Sequence, residues 1–494
     1  MKNIFLFLIL CSVVVSVFAQ EKAIKTFTVK EAVEYALQNN TTVKNGKLGV
    51  DEAKWRNLEI ITTGLPQITS SLDYSYYFKQ PQSPALSKIF SDTTMASAKV
   101  FSLLATDPTF AAANPILSSK IQQALYQSAI DGKDSKISFV LPHNLSAGLQ
   151  LTQLIFDGRY VFGVKAAKDL MKTARLSSQM SDHDVKYSVM KAYYQAEAAL
   201  EAKSLLQENL KLIEKLVNDT RAIYKEGLIE ELDVNRLELV QANLESQINL
   251  QNQMSDVALA NLKFQMGLPL NDEIILKDNL TDLKAEIPQQ IVSQFDATQR
   301  IEYQMLETAL RLKGFDMRQR RVGYFPSLYG FLNYGWNAQS EKFSDFFKST
   351  TTYYPDGDSR KRNAWYDQGL VGITLKVPIF DSGLKLAQVN QAKVEQLKLK
   401  NDFENFKSAS ELQFKAAQSG FSTAIADEIN TTRTEELSKK IFNKNTIKYK
   451  EGAGSSFELV QSEQDFVTNQ LKHIQSSLNM LNTKADLDKA MGVK

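Results

Sequence analysis

The chain has 494 residues, with 58 basic and 56 acidic side chains and a formal net charge of +2. That balance gives no electrostatic footing for nucleic acid, and one cysteine, Cys11, excludes an internal disulfide framework. The length allows two or three ordinary domains.

The first element is a secretory signal. Lys2 is followed by an apolar run over residues 4–18, and Val17-Phe18-Ala19 offers small residues where a signal peptidase cuts. Residues 1–19 are therefore expected to be removed, Cys11 with them. No later stretch reaches ~18 consecutive apolar residues, so no transmembrane helix is expected. An exported chain of this kind is periplasmic, secreted, or an outer-membrane β-barrel.

A helix is expected over about 41–62, and after Pro66 the pattern changes. Ile68, Leu72, Tyr74, Tyr76 and Phe78 alternate with polar residues, which predicts a strand over about 66–78. A long stretch, 79–142, separates it from a second strand at about 145–156, where Leu145, Ala147, Leu149, Leu151 and Ile155 share a face. Helices are expected over about 159–226 and 230–266. The first has no proline and one glycine, Gly163, and Leu206, Leu210, Ile213 and Val217 are spaced as in a coiled-coil seam. At ~1.5 Å per residue it would be about 100 Å long. Gly227 breaks it, and Gly267-Leu268-Pro269 stops its partner.

After a linker at 270–299 the series repeats. A helix at about 300–322 leads to strands at about 326–336 and 368–380, then to helices at about 384–451 and 455–490. The match extends to short blocks. Leu151–Gly158 resembles Leu375–Ser382, Tyr224-Lys-Glu-Gly227 recurs as Tyr449-Lys-Glu-Gly452, and Met266-Gly267 recurs as Met491-Gly492, all offset by 224 or 225 residues. Gly64-Leu-Pro66 corresponds to Tyr324-Phe-Pro326 at an offset of 260, because the inter-strand stretch is longer in the first half. The chain is one duplicated unit, residues 20–269 and 300–494, rather than an array of short repeats.

The expected fold is mostly α with membrane β. Four strands cannot close a barrel, and an open edge in lipid leaves backbone groups unpaired at several kcal/mol each. If the strands span a membrane, several chains must share one barrel.

The strand-to-helix junctions (Ile155-Phe-Asp-Gly158 and Val377-Pro-Ile-Phe-Asp381), the strand-entry prolines Pro66 and Pro326 and the two Tyr-Lys-Glu-Gly tips, in this order and spacing, resemble the TolC-like outer-membrane efflux protein family over about residues 27–494. Leu154 departs from the pattern, standing where the second half has Pro378, and a less sharp bend is expected there. The resemblance implies a homotrimer in which twelve strands form a barrel continuous with a periplasmic α-helical barrel. The linker would belong to an equatorial collar, and 79–142 and 337–366 would be extracellular loops. It implies passive export from the outer membrane of substrates delivered by an inner-membrane pump through a periplasmic adaptor. Tyr224, Gly227, Tyr449 and Gly452 would be the tips that meet the adaptor. Glu458, matching an acidic entrance position, and its first-half counterpart Asp233 would line the pore entrance. Gln461 departs from the family's second acidic position.

Each assignment has a plainer reading. The glycines serve equally as helix C-caps, and Glu458 and Asp233 as first-turn acids that complement the helix dipole. Catalysis is not expected. His143, His183 and His473 lack metal spacing, no nucleophile or nucleotide motif occurs, and Asp356-Gly-Asp358 lacks the later glutamate of a calcium loop and reads as a turn. No cofactor or metal is expected. The competing readings are a soluble periplasmic coiled-coil adaptor, which leaves four tyrosine-rich strands without a role, and a diffusion porin, which needs more strands and no such helices.

Overall fold

A computed structural model of the chain describes residues 25–81, 107–131, 140–285, 287, 295–353, 359–363 and 365–493. The signal segment 1–19, Cys11 and Asp356-Gly-Asp358 lie outside those residues. The chain divides into two compact units.

One unit spans Leu58–Val164 and Arg318–Ala387. Its centre is a four-stranded antiparallel sheet of β2 (Gln67–Tyr76), β3 (His143–Phe156), β5 (Ser327–Ser340) and β8 (Trp365–Lys376), in that order across the sheet. The register aligns the alternating apolar residues of all four strands. Ile68 opposes Leu151, Leu151 opposes Leu332, and Leu332 opposes Val371. Side-chain direction has a period of two, so one such row fixes the face for every strand. The shared apolar face is not covered by the rest of the chain: Ile68 is 68% and Val371 77% exposed. The outermost strands β2 and β8 each have one unpaired edge within this sheet.

The helices that precede the strand pairs are α2 (Thr41–Thr62) and α8 (Ile301–Val322), and between β2 and β3 lie α3 (Pro108–Ala113) and α4 (Pro115–Asp131). The described residues of the segment 337–366, expected as an extracellular loop, include strand and turn. β5 continues to Ser340, a 3-10 turn follows at Phe343–Phe347, and β6 (Ser349–Tyr353) pairs with β7 (Ser359–Asn363). The run Ser349-Thr-Thr-Thr-Tyr353 is rich in β-branched residues, which favour extended backbone.

Both strand-to-helix junctions are built on the repeated aspartate. Asp157 accepts from the backbone N–H of Arg159 (2.7 Å) at the start of α5, Gly158–Lys225. Asp381 accepts from the N–H of Gly383 and of Lys385 (3.2 Å each) at the start of α9, Leu384–Lys450. Each carboxylate supplies an acceptor to donors that have no partner in the first turn of a helix. The junctions differ in length. β3 runs through a bulge at Leu154–Phe156 almost directly into α5, whereas β8 ends at Lys376 and residues 377–383 intervene. Pro378 has no N–H to give a ladder, which ends the second strand earlier.

The other unit, within Met1–Asn57, Lys165–Met317 and Gln388–Lys494, is helical. Two hairpins dominate it: α5 with α6 (Glu231–Met266), and α9 with α10 (Ser456–Met491). Three apolar clusters hold it together. The largest joins the middle of α5 (Val189, Tyr193, Ala196) to α1 (Val29–Asn39), the end of α6 (Leu262, Met266), α7 (Leu280–Ala285) and α10 (Leu478, Leu481). A second lies toward the tips, with Ile213, Val217, Leu237, Val240, Phe442 and Leu459. The third joins Phe414 and Phe421 of α9 to Met480 and Leu487 of α10. The linker is tied to the start of the chain: β1 (Lys25–Phe27) pairs in parallel with β4 (Ile274–Leu276). Tyr193 closes this junction, its hydroxyl donating to the carbonyl of Phe27 (2.9 Å) while receiving the N–H of Asp278 (3.3 Å).

Candidate channel-entrance site at the helix tips

Each hairpin turns at a glycine in the left-handed region, Gly227 at φ 72° and Gly452 at φ 71°. The bonding around them is the same. Gly227 donates to the carbonyl of Tyr224 (2.8 Å) and Leu228 to that of Ile223 (3.3 Å); Gly452 donates to Tyr449 (3.1 Å) and Ala453 to Lys448 (2.8 Å). This is the Schellman arrangement, which satisfies the last carbonyls of a helix. The C-cap reading of both glycines therefore holds. Apart from the chain neighbours, no atom of the described residues lies within 4 Å of where a Cβ would sit on either one, so the backbone there stands open.

The tyrosines before the glycines differ. Tyr224 is exposed, whereas Tyr449 is half-buried against the tip-proximal cluster. Burial pushes the Tyr449 phenol up from its ordinary range. Around the tips the first hairpin displays Leu228 and Leu232, and the second Ile447 and Phe457.

The two acidic residues are placed unequally. Asp233 lies in the first turn of α6 and accepts the hydroxyl proton of Ser456, the first residue of α10; Arg236 donates to the same hydroxyl (3.0 Å). The two hairpin returns are thus joined by an Asp233–Ser456–Arg236 link, and Ser456 is 1% exposed. Asp233 is part of this link in addition to sitting near a tip. Glu458 is exposed in the first turn of α10. Its N–H is capped by the Ser455 hydroxyl (3.2 Å), which leaves its carboxylate for solvent. Neither Ser456 nor Arg236 is visible as a site residue in the sequence, because they meet across 220 residues of chain. Among the described residues, no cluster of His, Cys, Asp and Glu has the arrangement to hold a metal ion.

A second polar group lies where α7, α9 and α10 meet. Lys284 of α7 is 2.5 Å from Glu428 and donates to Ser477 (3.0 Å), Glu428 Oε1 is 3.0 Å from His473 Nε2, and His473 Nδ1 meets Glu435. Burial opposes the charge on Glu428, but His473, Lys284 and Ser476 more than offset it and hold its carboxyl at about 2. Glu428 and Glu435 raise His473 to about 9. The isolated spacing of His473 in the sequence carried no sign of this cluster.

The fold defined by this geometry is that of outer-membrane channels. The outer-membrane channel CmeC of Campylobacter jejuni is similar at a TM-score of 0.66 with 17% identity, over 94% of this chain and 85% of that one. VceC, an outer-membrane protein of Vibrio cholerae, gives 0.63 and 13% over 94% and 96%. The MtrE outer-membrane channel of Neisseria gonorrhoeae, solved in its open state, gives 0.63 and 16% over 94% and 88%. Residues 302–493 match the family model described as outer membrane efflux protein. The match falls on the second repeat, and the resemblance of the chain to the TolC-like outer-membrane efflux family stands. No curated protein sequence matches the chain. Among the described residues no helix is long and apolar enough to cross a membrane.

Proposed function

We propose that the protein is the outer-membrane channel of a tripartite export system. Three copies contribute four strands each to one barrel, and substrates handed over by an inner-membrane pump and a periplasmic adaptor leave through it without chemical change. The observation that carries this reading is the sheet. Its apolar residues line up on one uncovered face, and its two outer strands have free edges. In lipid the face needs no further cover, and pairing β8 of one copy with β2 of the next would satisfy the edges that a membrane cannot.

At the helix tips, the open backbone at Gly227 and Gly452 and the exposed Tyr224 suit contact with an adaptor, and Tyr449 supports its tip from within. Three copies of Glu458 near one axis would favour cations at the entrance; Asp233, already bonded to Ser456, would contribute less.

Membrane fractionation followed by light scattering of the detergent-extracted particle tests the assembly. A trimer-sized particle from the outer membrane is expected, and a soluble periplasmic monomer would replace the channel with a coiled-coil adaptor. In planar bilayers Glu458→Ala should lower cation selectivity, and unchanged selectivity would remove Glu458 from the entrance.

A further inference from the structure

The two hairpins align without gaps. α5 ends at Lys225 and α9 at Lys450, while α6 starts at Glu231 and α10 at Ser456. In that alignment Arg221 corresponds to Thr446, and Glu238 to Glu463. In the first hairpin Arg221 donates to Glu238, and both side chains are well exposed. The second hairpin keeps the acid and lacks the cation. Thr446 directs its hydroxyl to the carbonyl of Phe442 in its own helix (2.8 Å).

The orphaned acid is buried. Glu463 is 4% exposed, and its Oε1 is shut off from solvent without a hydrogen-bond partner. It lies one turn after Leu459 and one turn before Phe466 and Val467, all three inside the tip-proximal apolar cluster. Among the described residues, no charged group on the helices that build this cluster acts on the Glu463 carboxyl; burial alone does. On α5 and α6, Arg221 is committed to Glu238, and Asp233 and Arg236 meet at Ser456. On α9, Lys439 and Lys444 are exposed and Tyr449 contributes a phenol. On α10 itself, Asp465 accepts from Gln461 (3.2 Å). An ionised carboxylate in such a place loses its hydration and gains no counter-charge, whereas the neutral acid loses far less.

We propose that Glu463 is a proton-dependent latch at the start of α10: neutral, it stays within the apolar seam and keeps the hairpin return packed; ionised, it leaves the seam and loosens the channel entrance. The proposal rests on the reading of the tips as that entrance. Burial alone pushes the Glu463 carboxyl up to about 7 from an ordinary 4.5. The packed state therefore holds its proton over a range in which the loosened state gives it up. Packing is strongest below pH 4.5, weakens as the pH rises toward 7, and is level above that.

Hydrogen exchange of the α10 amides in the detergent-solubilised full chain, corrected for the intrinsic pH dependence of exchange, tests the latch directly. Exchange near Glu463 should rise at least ~10-fold between pH 5 and 7.5 and then plateau. Glu463→Gln, neutral throughout, should stay slow at every pH. Thr446→Arg, which restores the cation of the first repeat, should also lose the pH dependence. A wild-type profile that is flat, or a Glu463→Gln profile that follows the wild type, overturns the latch. Bilayer conductance over the same range separates the two readings. A particle that is silent at all pH values counts against the channel, while the exchange profile still decides the latch.

Discussion

The two long helices α5 and α9 are nearly equal in length, at 68 and 67 residues, and end in the same turn, yet they are buried differently. The middle of α5 is enclosed by its own chain, with Val189, Tyr193 and Ala196 fully covered. Along α9 only scattered side chains such as Phe414, Phe421 and Phe442 are buried, while Leu412 and Ile429 stand about 70% exposed. Duplication thus produced two elements of one shape and two uses. One carries the core of the chain, and the other holds apolar surface that a single copy does not cover. The difference lies in the side chains the two helices carry, not in helix length or capping.

This contrast can be broken most severely from the buried side. Phe421→Ala, at a site 1% exposed, should cost about 3–5 kcal/mol of stability, read from denaturant unfolding in detergent. Glu428→Ala should follow at about 2–3 kcal/mol, because it leaves Lys284 and His473 facing each other without their shared carboxylate and the site is only partly shielded. The same cluster sets a pH window. The contribution of Glu428 is present above pH 4.5 and is lost as the pH falls toward 2, whereas that of protonated His473 is complete below 6.5 and is lost as the pH rises through 9. Melting temperatures in detergent should peak between pH 4.5 and 6.5, and Glu428→Ala should lose the acid side of this dependence and keep only the share of the alkaline side that Glu435 gives His473.

At the tips, Gly227→Ala and Gly452→Ala should each cost about 1 kcal/mol, since the space is open and only the positive φ resists a side chain. Weaker adaptor binding beyond that loss, measured by pull-down of the trimer, would separate a contact role from a cap. Least costly to the fold is Leu412→Asp, within about 0.5 kcal/mol for a surface substitution. If the exposed face of α9 is covered by a second copy, this variant should nonetheless shift light scattering from trimer toward monomer. An unchanged trimer would leave that face to solvent.

Much of this architecture was legible in the sequence for physical reasons. The period-two run from Ile68 to Tyr76 could only be a strand with one apolar side, and an uninterrupted stretch such as 159–226 offers nothing to stop a helix until Gly227. The recurrence of Phe-Asp before each long helix is explained by the capping carboxylates of Asp157 and Asp381. What could not be read was any relation that depends on distant segments meeting. The pairing of β1 with β4, the Asp233–Ser456–Arg236 link and the cluster around Glu428 each join residues more than a hundred positions apart. The burial of Glu463 belongs with them, although the replacement of Arg221 by Thr446 in its repeat partner was a signal available in the sequence alone.

The parallel pairing of Lys25–Phe27 with Ile274–Leu276 also imposes an order of events. Val29 bonds to Asp278 across 249 residues, so β1 gains its strand partner only once the linker has been made. Most of the cluster around Tyr193 comes from the first repeat and the linker, and Ile474, Leu478 and Leu481 of α10 complete it. A chain made N-terminus first would in this way hold most of that cluster before the second half docks on it.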